Sequence, residues 1–247
     1  MSLWFCVPAN GRLELTAICL RQLRRTCDRL TDAGTQATAV VIACDENLDT
    51  ARQLGFGTIE RDNRFLSRRF NDGIQLALDP AHNPRPADHV VPCGSDDWVH
   101  PSLFDQLPGD DQMIGFQNMC FVREDGLEVT ARRISYPGGC GIRIYPRSLM
   151  ATLGYRPADE DRVRGCDTSI LYNLRRANPA MRIVELAPDP WKIVDWKTRG
   201  EQVTPYDHVG QHPPLWQGDP FDQLDGHWDA GLLGEMRVHY QRDMVPA

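Results

Sequence analysis

The stretch HVVPCGSDDWVHP, His89–Pro101, decides how this chain is read. Its first half is a short apolar run bounded by turn formers, the pattern of a buried strand. The run stops at Gly94 and Ser95 on two adjacent carboxylates, Asp96 and Asp97, followed by Trp98, Val99, His100 and a proline. Negative charge at the end of a buried strand has two readings. It either caps the helix expected after Pro101, or offers oxygen ligands to a hard cation such as Mg²⁺ or Mn²⁺, which keeps positions open for substrate phosphates.

Working outward, the same punctuation recurs. Leu3–Ala9 (LWFCVPA) is an apolar run stopped by Pro8, Asn10 and Gly11, and Leu13–Leu30 carries Leu13, Ala17, Leu20, Leu23, Cys27 and Leu30 at helical spacing with arginines opposite. Ala37–Glu46 (ATAVVIACDE) predicts a strand ending at Asp45, Asn47–Gly55 a short helix, Phe56–Asp62 a third strand, and Leu66–Asp79 a helix through Phe70, Ile74 and Leu78. This alternation predicts an α/β domain on a largely parallel sheet. Ligands of such sheets bind beyond the carboxyl ends of the strands, which singles out Asn10, Arg12, Asp45, Asp96 and Asp97 as one polar edge.

Downstream, Ser102–Leu107 predicts a helix, and Gln112–Glu124 with Gly126–Pro137 predicts a hairpin turning at Asp125 and Gly126. Gly138–Pro146 reads as a glycine-rich approach to a strand, Arg147–Gly154 and Cys166–Asn178 as helices, and Arg182–Pro188 as a strand. Past Pro190 the pattern weakens in a tract rich in turn formers, and Gly231–Met244 reads as a helix packing back on the core.

Composition sets the outer limits. The 247 residues are 41% hydrophobic and 25% charged, an ordinary globular balance, with a net charge of −7. The resulting pI of 5.5 leaves no bulk basic footprint for nucleic acid or anionic membrane. No run is long and apolar enough to span a bilayer, and MSLWFCVPANGR enters a strand directly, so the expectation is a cytoplasmic protein without integral membrane association. Eight cysteines without a CxxC pair read as reduced core thiols, Cys6, Cys44 and Cys93 among them.

The order PANGR (Pro8–Arg12), Asp45, RRFNDG (Arg68–Gly73) and GSDD (Gly94–Asp97) resembles the nucleotide-sugar half of the GT-A glycosyltransferases, especially inverting family 2, across roughly residues 3 to 105. The resemblance implies a GT-A type, Rossmann-like α/β fold in one domain over 1–247. Residues 1–105 would bind the nucleotide sugar, 106–190 would supply the acceptor and catalytic side, and 191–247 would form a tail packed on the core. It further implies that Pro8, Ala9, Asn10 and Arg12 line the nucleotide pocket, that Asp45 accepts a hydrogen bond from the base, and that Arg68 or Arg69 reaches the nucleotide. Asp97 with Asp96 would hold Mn²⁺ or Mg²⁺ beneath the diphosphate, with Ser95 standing where many members carry an acid.

In the second half, RGCDTSILYNL places Asp167 where the family has a Glu-Asp motif, Cys166 replacing the first acid. Asp167 is the candidate base for the acceptor hydroxyl, its alternative role being a helix cap. Lys192, Lys197 and Arg199 sit on an expected loop that would close over the diphosphate, with His208 or His212 completing the metal shell. Trp191, Trp196, Trp216 and Trp228 serve either as an acceptor floor or as anchors for the tail.

The expected activity is thus transfer of a sugar from a nucleotide diphosphate, most simply a UDP-sugar, to a hydroxyl acceptor with inversion. A glycan, a protein or a modified DNA base would serve as acceptor, the acidic balance disfavouring nucleic acid. A sugar nucleotidylyltransferase is the enzymatic alternative, for which PANGRLEL is a poor phosphate loop. A non-catalytic carbohydrate- or nucleotide-binding protein is the other.

Overall fold

Alternate residues of the two central strands are buried on opposite faces, so the sheet needs a layer on each side. The computed structural model of the chain describes residues 1–123, 126–197 and 215–243. The first strands and helices follow in the expected order: β1 (Ser2–Pro8), α1 (Leu13–Asp32), β2 (Gln36–Ala43), α2 (Asn47–Gln53), β3 (Gly57–Glu60), α3 (Leu66–Leu78) and β4 (His89–Pro92). Leu3, Phe5 and Val7 of β1 face Leu20, Leu23, Cys27 and Leu30 of α1 in one core. Cys6 of β1, with Val40 and Ile42 of β2, faces Ile74, Ala77 and Leu78 of α3 in a second. This is period-two burial on both faces, as expected where parallel strands are covered by helices.

β5 (Asp97–Val99) follows, then β6 (Gln112–Phe116), β7 (Asn118–Val122), β8 (Val129–Arg133), β9 (Arg143–Pro146), α4 (Arg147–Ala151), α5 (Cys166–Ala177), β10 (Arg182–Leu186), β11 (Ile193–Trp196), β12 (Trp216–Gly218), α6 (Pro220–Leu224) and α7 (Ala230–Asp243). The main sheet has the order β10-β6-β9-β4-β1-β2-β3. It is parallel except at β9, which runs antiparallel to both β4 and β6. A second sheet, β12-β8-β7-β11-β5, stands beside it.

Three expectations change, and the expected hairpin forms. Ser102–Leu107 is no α-helix: a single 3₁₀ turn covers Pro101–Phe104. Gln112–Val122 is two strands, because the chain leaves the main sheet after Phe116 and enters the second at Asn118. The hairpin forms between β7 and β8, with Val122 opposite Val129; Asp125 of the expected turn lies outside the described residues. Past Pro190 the chain is not merely loop, since β11 lies between β7 and β5 within the second sheet.

Helix α1 is buried on two flanks, which explains apolar positions beyond one stripe. Leu15, Ile18 and Cys19 enter a third core with Trp98, Trp196, Phe221, Trp228, Met236 and Tyr240. Trp196 and Trp228 are therefore core anchors of the tail rather than an acceptor floor, Trp228 donating from Nε1 to the Trp191 carbonyl at 3.0 Å. Arginines of α1 pair with the tail: Arg21 with Glu235 and Arg25 with Asp229. All eight cysteines are free thiols and all but Cys44 are buried; β2 ends at Ala43, so Cys44 opens the exposed loop. No helix among the described residues is long and apolar enough to cross a membrane.

The helix motif RRFNDG now has a physical basis. A Cβ on Gly73 would stand 2.3 Å from Cys6 Sγ and 2.7 Å from Ile42 Cδ1, so only glycine lets α3 approach β1 and β2 this closely. Gly73→Ala is expected to cost about 1–3 kcal/mol through overpacking, read as a lower urea midpoint at unchanged slope.

Candidate functional site

Strands β1, β2 and β4 run parallel, so the loops after Pro8, Ala43 and Pro92 open on the same edge of the sheet. There a cleft of about 500 Å³ is lined by Pro8, Asn10, Arg12, Asn63, Arg64, Arg69, Gly94, Ser95, Asp96, Asp97, Arg164, Asp195 and Lys197, with apolar Leu66, Phe70 and Val163.

Its floor is a charge cluster. Gly11 and Arg12 both have left-handed backbone, with φ of 57° and 45°. A non-glycine residue in this region is uncommon, and the conformation accompanies an Arg12 side chain bonded across the cleft: Nη1 donates to Asp96 Oδ2 at 2.7 Å and Nη2 to Ser95 Oγ at 3.1 Å. Such strain is a recurrent property of ligand-binding sites. Asp97 accepts from the Gly94 backbone N–H at 2.7 Å. A Cβ at Gly94 would fall 2.6 Å from the Asp97 carboxylate and 2.7 Å from that of Asp96, so a side chain there would displace both acids from their present positions.

The third acid comes from the far half of the chain. β11 pairs antiparallel with β5, setting Asp195 opposite Asp97, and the Trp196 N–H donates to the Asp96 carbonyl at 2.9 Å. One carboxylate oxygen from each of Asp96, Asp97 and Asp195 lies within 4.8 Å of the others. Lys197 Nζ meets Asp195 Oδ2 at 2.5 Å, while Asp195 Oδ1 is buried with no hydrogen-bond partner among the described residues.

These three acids differ in proton affinity. Burial alone would lift Asp96, but Arg12 and then Lys197 hold its carboxyl below the usual range. Asp97 is pushed well above that range by burial and by the negative charges of Asp195 and Asp96. Burial raises Asp195 to about 6 against the pull of Lys197. Lys197 itself is held above the ordinary lysine range, because Asp195 and Asp96 outweigh the penalty of its burial. A donor set of crowded carboxylate oxygens, one of them an orphaned buried acceptor, fits a hard divalent cation.

The remaining expected residues divide. Arg69 is buried, lines the cleft and donates from Nη1 to the Ala9 carbonyl at 2.9 Å, whereas Arg68 points away to Asp161 at 2.7 Å. Neighbours on a helix face different directions, and Arg69 takes the inward one. Ala9 is buried behind the cleft wall. Asp45 does not line the cleft; its oxygens hold the Gly11 N–H at 2.7 Å and Asn47 Nδ2 at 2.8 Å, bracing the loop that presents Arg12. His208, His212 and Arg199 lie outside the described residues.

Asp167 stands in the first turn of α5, three residues beyond Arg164 of the cleft wall. Its Oδ2 lies 3.4 Å from Nη2 of Arg143, a fully buried guanidinium that also donates to the Asp167 carbonyl at 2.5 Å. Gly165 occupies the N-cap position of this helix, and Asp167 is the acidic residue of its first turn. Asp167 itself is not among the residues that line the cleft; Val163 and Arg164, just before α5, are. Asn71, from the same motif as Arg69, donates to the Ala158 carbonyl at 2.8 Å and accepts from its N–H at 2.9 Å, fixing the segment that leads to α5.

Asp195 escaped the sequence reading, as did Asn63, Arg64 and Arg164 of the rim. Its one signal was an acid and a lysine flanking Trp196 in the otherwise apolar IVDWK.

No family model and no curated protein matches the chain. Among solved structures it aligns with glucosyl-3-phosphoglycerate synthase from Mycobacterium tuberculosis. The complex with Mn²⁺, UDP and glucosyl-3-phosphoglycerate gives a TM-score of 0.52 at 13% identity, over 85% of this chain and 75% of that one. The complex with UDP gives 0.51 at 14% identity, over the same 85% and 75%. The complex with Mn²⁺, UDP-glucose and glycerol 3-phosphate gives 0.50 at 14% identity, again over 85% and 75%. At such identity the likeness establishes the shared GT-A fold.

Proposed function

We propose that this GT-A chain is a metal-dependent glycosyltransferase that moves a sugar from a nucleotide diphosphate, most simply UDP, to a hydroxyl acceptor with inversion. The single observation that carries the reading is the convergence of Asp96, Asp97 and Asp195 with Arg12 and Lys197 in a cleft at the carboxyl ends of β1 and β4. The aligned synthase structures, which contain UDP with Mn²⁺, support it.

Asp97 and Asp195, with Asp96 beside them, would hold Mn²⁺ or Mg²⁺. A divalent cation supplies Lewis acidity and neutralises charge on a departing diphosphate. Arg12, Arg69 and Lys197 add positive charge on the donor side of the cleft. Pro8 and Asn10 form the nucleotide wall, and Asp45 acts by bracing that wall, its second assignment being the base itself. Asp167 Oδ1, which has no hydrogen-bond partner among the described residues, takes the acceptor proton while Arg143 orients Oδ2.

Two measurements test the reading. UDP release from UDP-glucose is expected to be stimulated by Mn²⁺ and lost on chelation; absence of both turnover and UDP binding with Mn²⁺ present would sink it. Cation affinity is also expected to fall as the pH drops through about 6, because Asp195 takes up its proton there and Asp97 is protonated more readily than an ordinary carboxylate. Mn²⁺ titrations at pH 5, 6 and 7.5 check the sign; flat affinity contradicts it.

A further inference from the structure

We propose that Lys197 is an internal cation that occupies Asp195 in the donor-free protein and yields it when a nucleotide diphosphate arrives, so that metal and donor enter together. The inference rests on the reading of the site given above and adds an order to it.

The first observation is compositional. Of the 27 basic residues, 25 are arginine, and Lys192 and Lys197 are the two lysines. Lys197 is 5% exposed, with its ammonium on a carboxylate of the cluster. An ammonium is a compact point charge on a flexible stem, whereas a guanidinium is a rigid planar fork. The residue type suits a charge that must change partners.

Its backbone is fixed on both sides. The Lys197 N–H donates to the Val122 carbonyl at 3.1 Å, and the Tyr240 hydroxyl on α7 donates to the Lys197 carbonyl. Motion is thus confined to the side chain, which lines the same cleft as Arg12 and Arg69. Arg12 is not free to exchange in this way: it is held at both Asp96 and Ser95 from a left-handed backbone.

Charge balance sets the order. Three carboxylates face two cations, leaving one net negative charge when all are ionised. A divalent ion added alone makes the cluster net positive and competes with an ammonium already in contact with Asp195. A diphosphate restores the balance and offers Lys197 new oxygen partners, releasing Asp195. Each ligand then raises the affinity for the other by the same factor.

The test uses the whole 247-residue chain. With lysine labelled in ¹⁵N, only two side-chain ammonium signals arise, and Lys197→Arg identifies the one from Lys197. Mg²⁺ alone is expected to leave that signal in place, and Mg²⁺ with UDP to shift it. An equal shift with Mg²⁺ alone, or none while UDP is bound, overturns the proposal. Independently, Lys197→Met and Lys197→Gln are expected to bind Mn²⁺ without UDP about tenfold more tightly than the parent, and Lys197→Arg to resemble the parent. Unchanged Mn²⁺ affinity in the Met and Gln variants, with Mn²⁺ and UDP still binding together, refutes the role of Lys197 and leaves the transferase reading standing. No Mn²⁺ binding even with UDP refutes both.

Discussion

Asp97→Asn is expected to lower metal-stimulated turnover by about a hundred- to a thousand-fold, the scale on which one electrostatic stabiliser of a transition state acts. The same substitution is expected to make the metal-free protein more stable. Asp97 holds its proton more tightly in the folded chain than in the unfolded one, because it is buried against Asp195 and Asp96. Its contribution is therefore most favourable at low pH and is lost as the pH rises through the ordinary carboxylate range toward its raised folded value. Asparagine removes the charge and keeps an oxygen for the Gly94 N–H. A gain of roughly 1 kcal/mol corresponds to about 2–4 °C in Tm for a chain of this size. Metal-free thermal melts at pH 7.5, with and without added Mn²⁺, separate the two effects: the variant melts higher alone but gains nothing from the metal. An undiminished response to Mn²⁺ would remove Asp97 from the cation site.

Asp167→Asn is expected to cut turnover by about a hundred- to ten-thousand-fold while leaving UDP affinity in the presence of Mn²⁺ within a factor of about two, as loss of a general base should. The local structure tolerates the change. Arg143 donates its shorter bond to the Asp167 main-chain carbonyl, which asparagine retains, and an amide oxygen can still face Nη2. Removal of Arg143 is the structural contrast. Its guanidinium is fully buried and ties Gly138, Gly139 and Asp167 together, so Arg143→Ala should cost several kcal/mol through unpaired buried carbonyls. Parallel losses of turnover and nucleotide affinity in Asp167→Asn would assign that residue to the scaffold instead.

The first half of the fold was readable because each element repeats a clean period between turn residues: Cys6, Val40 and Ile42 on one face, Leu3, Phe5 and Val7 on the other. The second half was less so, for physical reasons. Gln112–Val122 has the composition of one strand, and nothing in a local pattern records that the chain changes sheets at Gln117. β11 is four residues long and carries Ile193, Val194 and Trp196 fully buried on both faces, so it has no alternation to detect. Asp195 was hidden within it. Arg68 and Arg69 were indistinguishable as letters, and only the direction of α3 separates a cleft wall from a surface pair with Asp161. The pair Asp96–Asp97 was legible as a metal candidate because turn glycine and adjacent acids are local features; the strand that completes it lies a hundred residues away.

That distance has a consequence for assembly. β5 is added to its sheet by β11, which enters between it and β7, so Asp97 gains its neighbour Asp195 only after residues 193–196 have docked. Loops that long close slowly relative to local contacts. A nascent chain that has emerged only to residue 180 already contains Pro8–Arg12, Asp45, Arg69 and the paired aspartates, yet it lacks the third acid and the lysine. The cleft thus acquires its third acid and its lysine only once β11 has docked between β5 and β7.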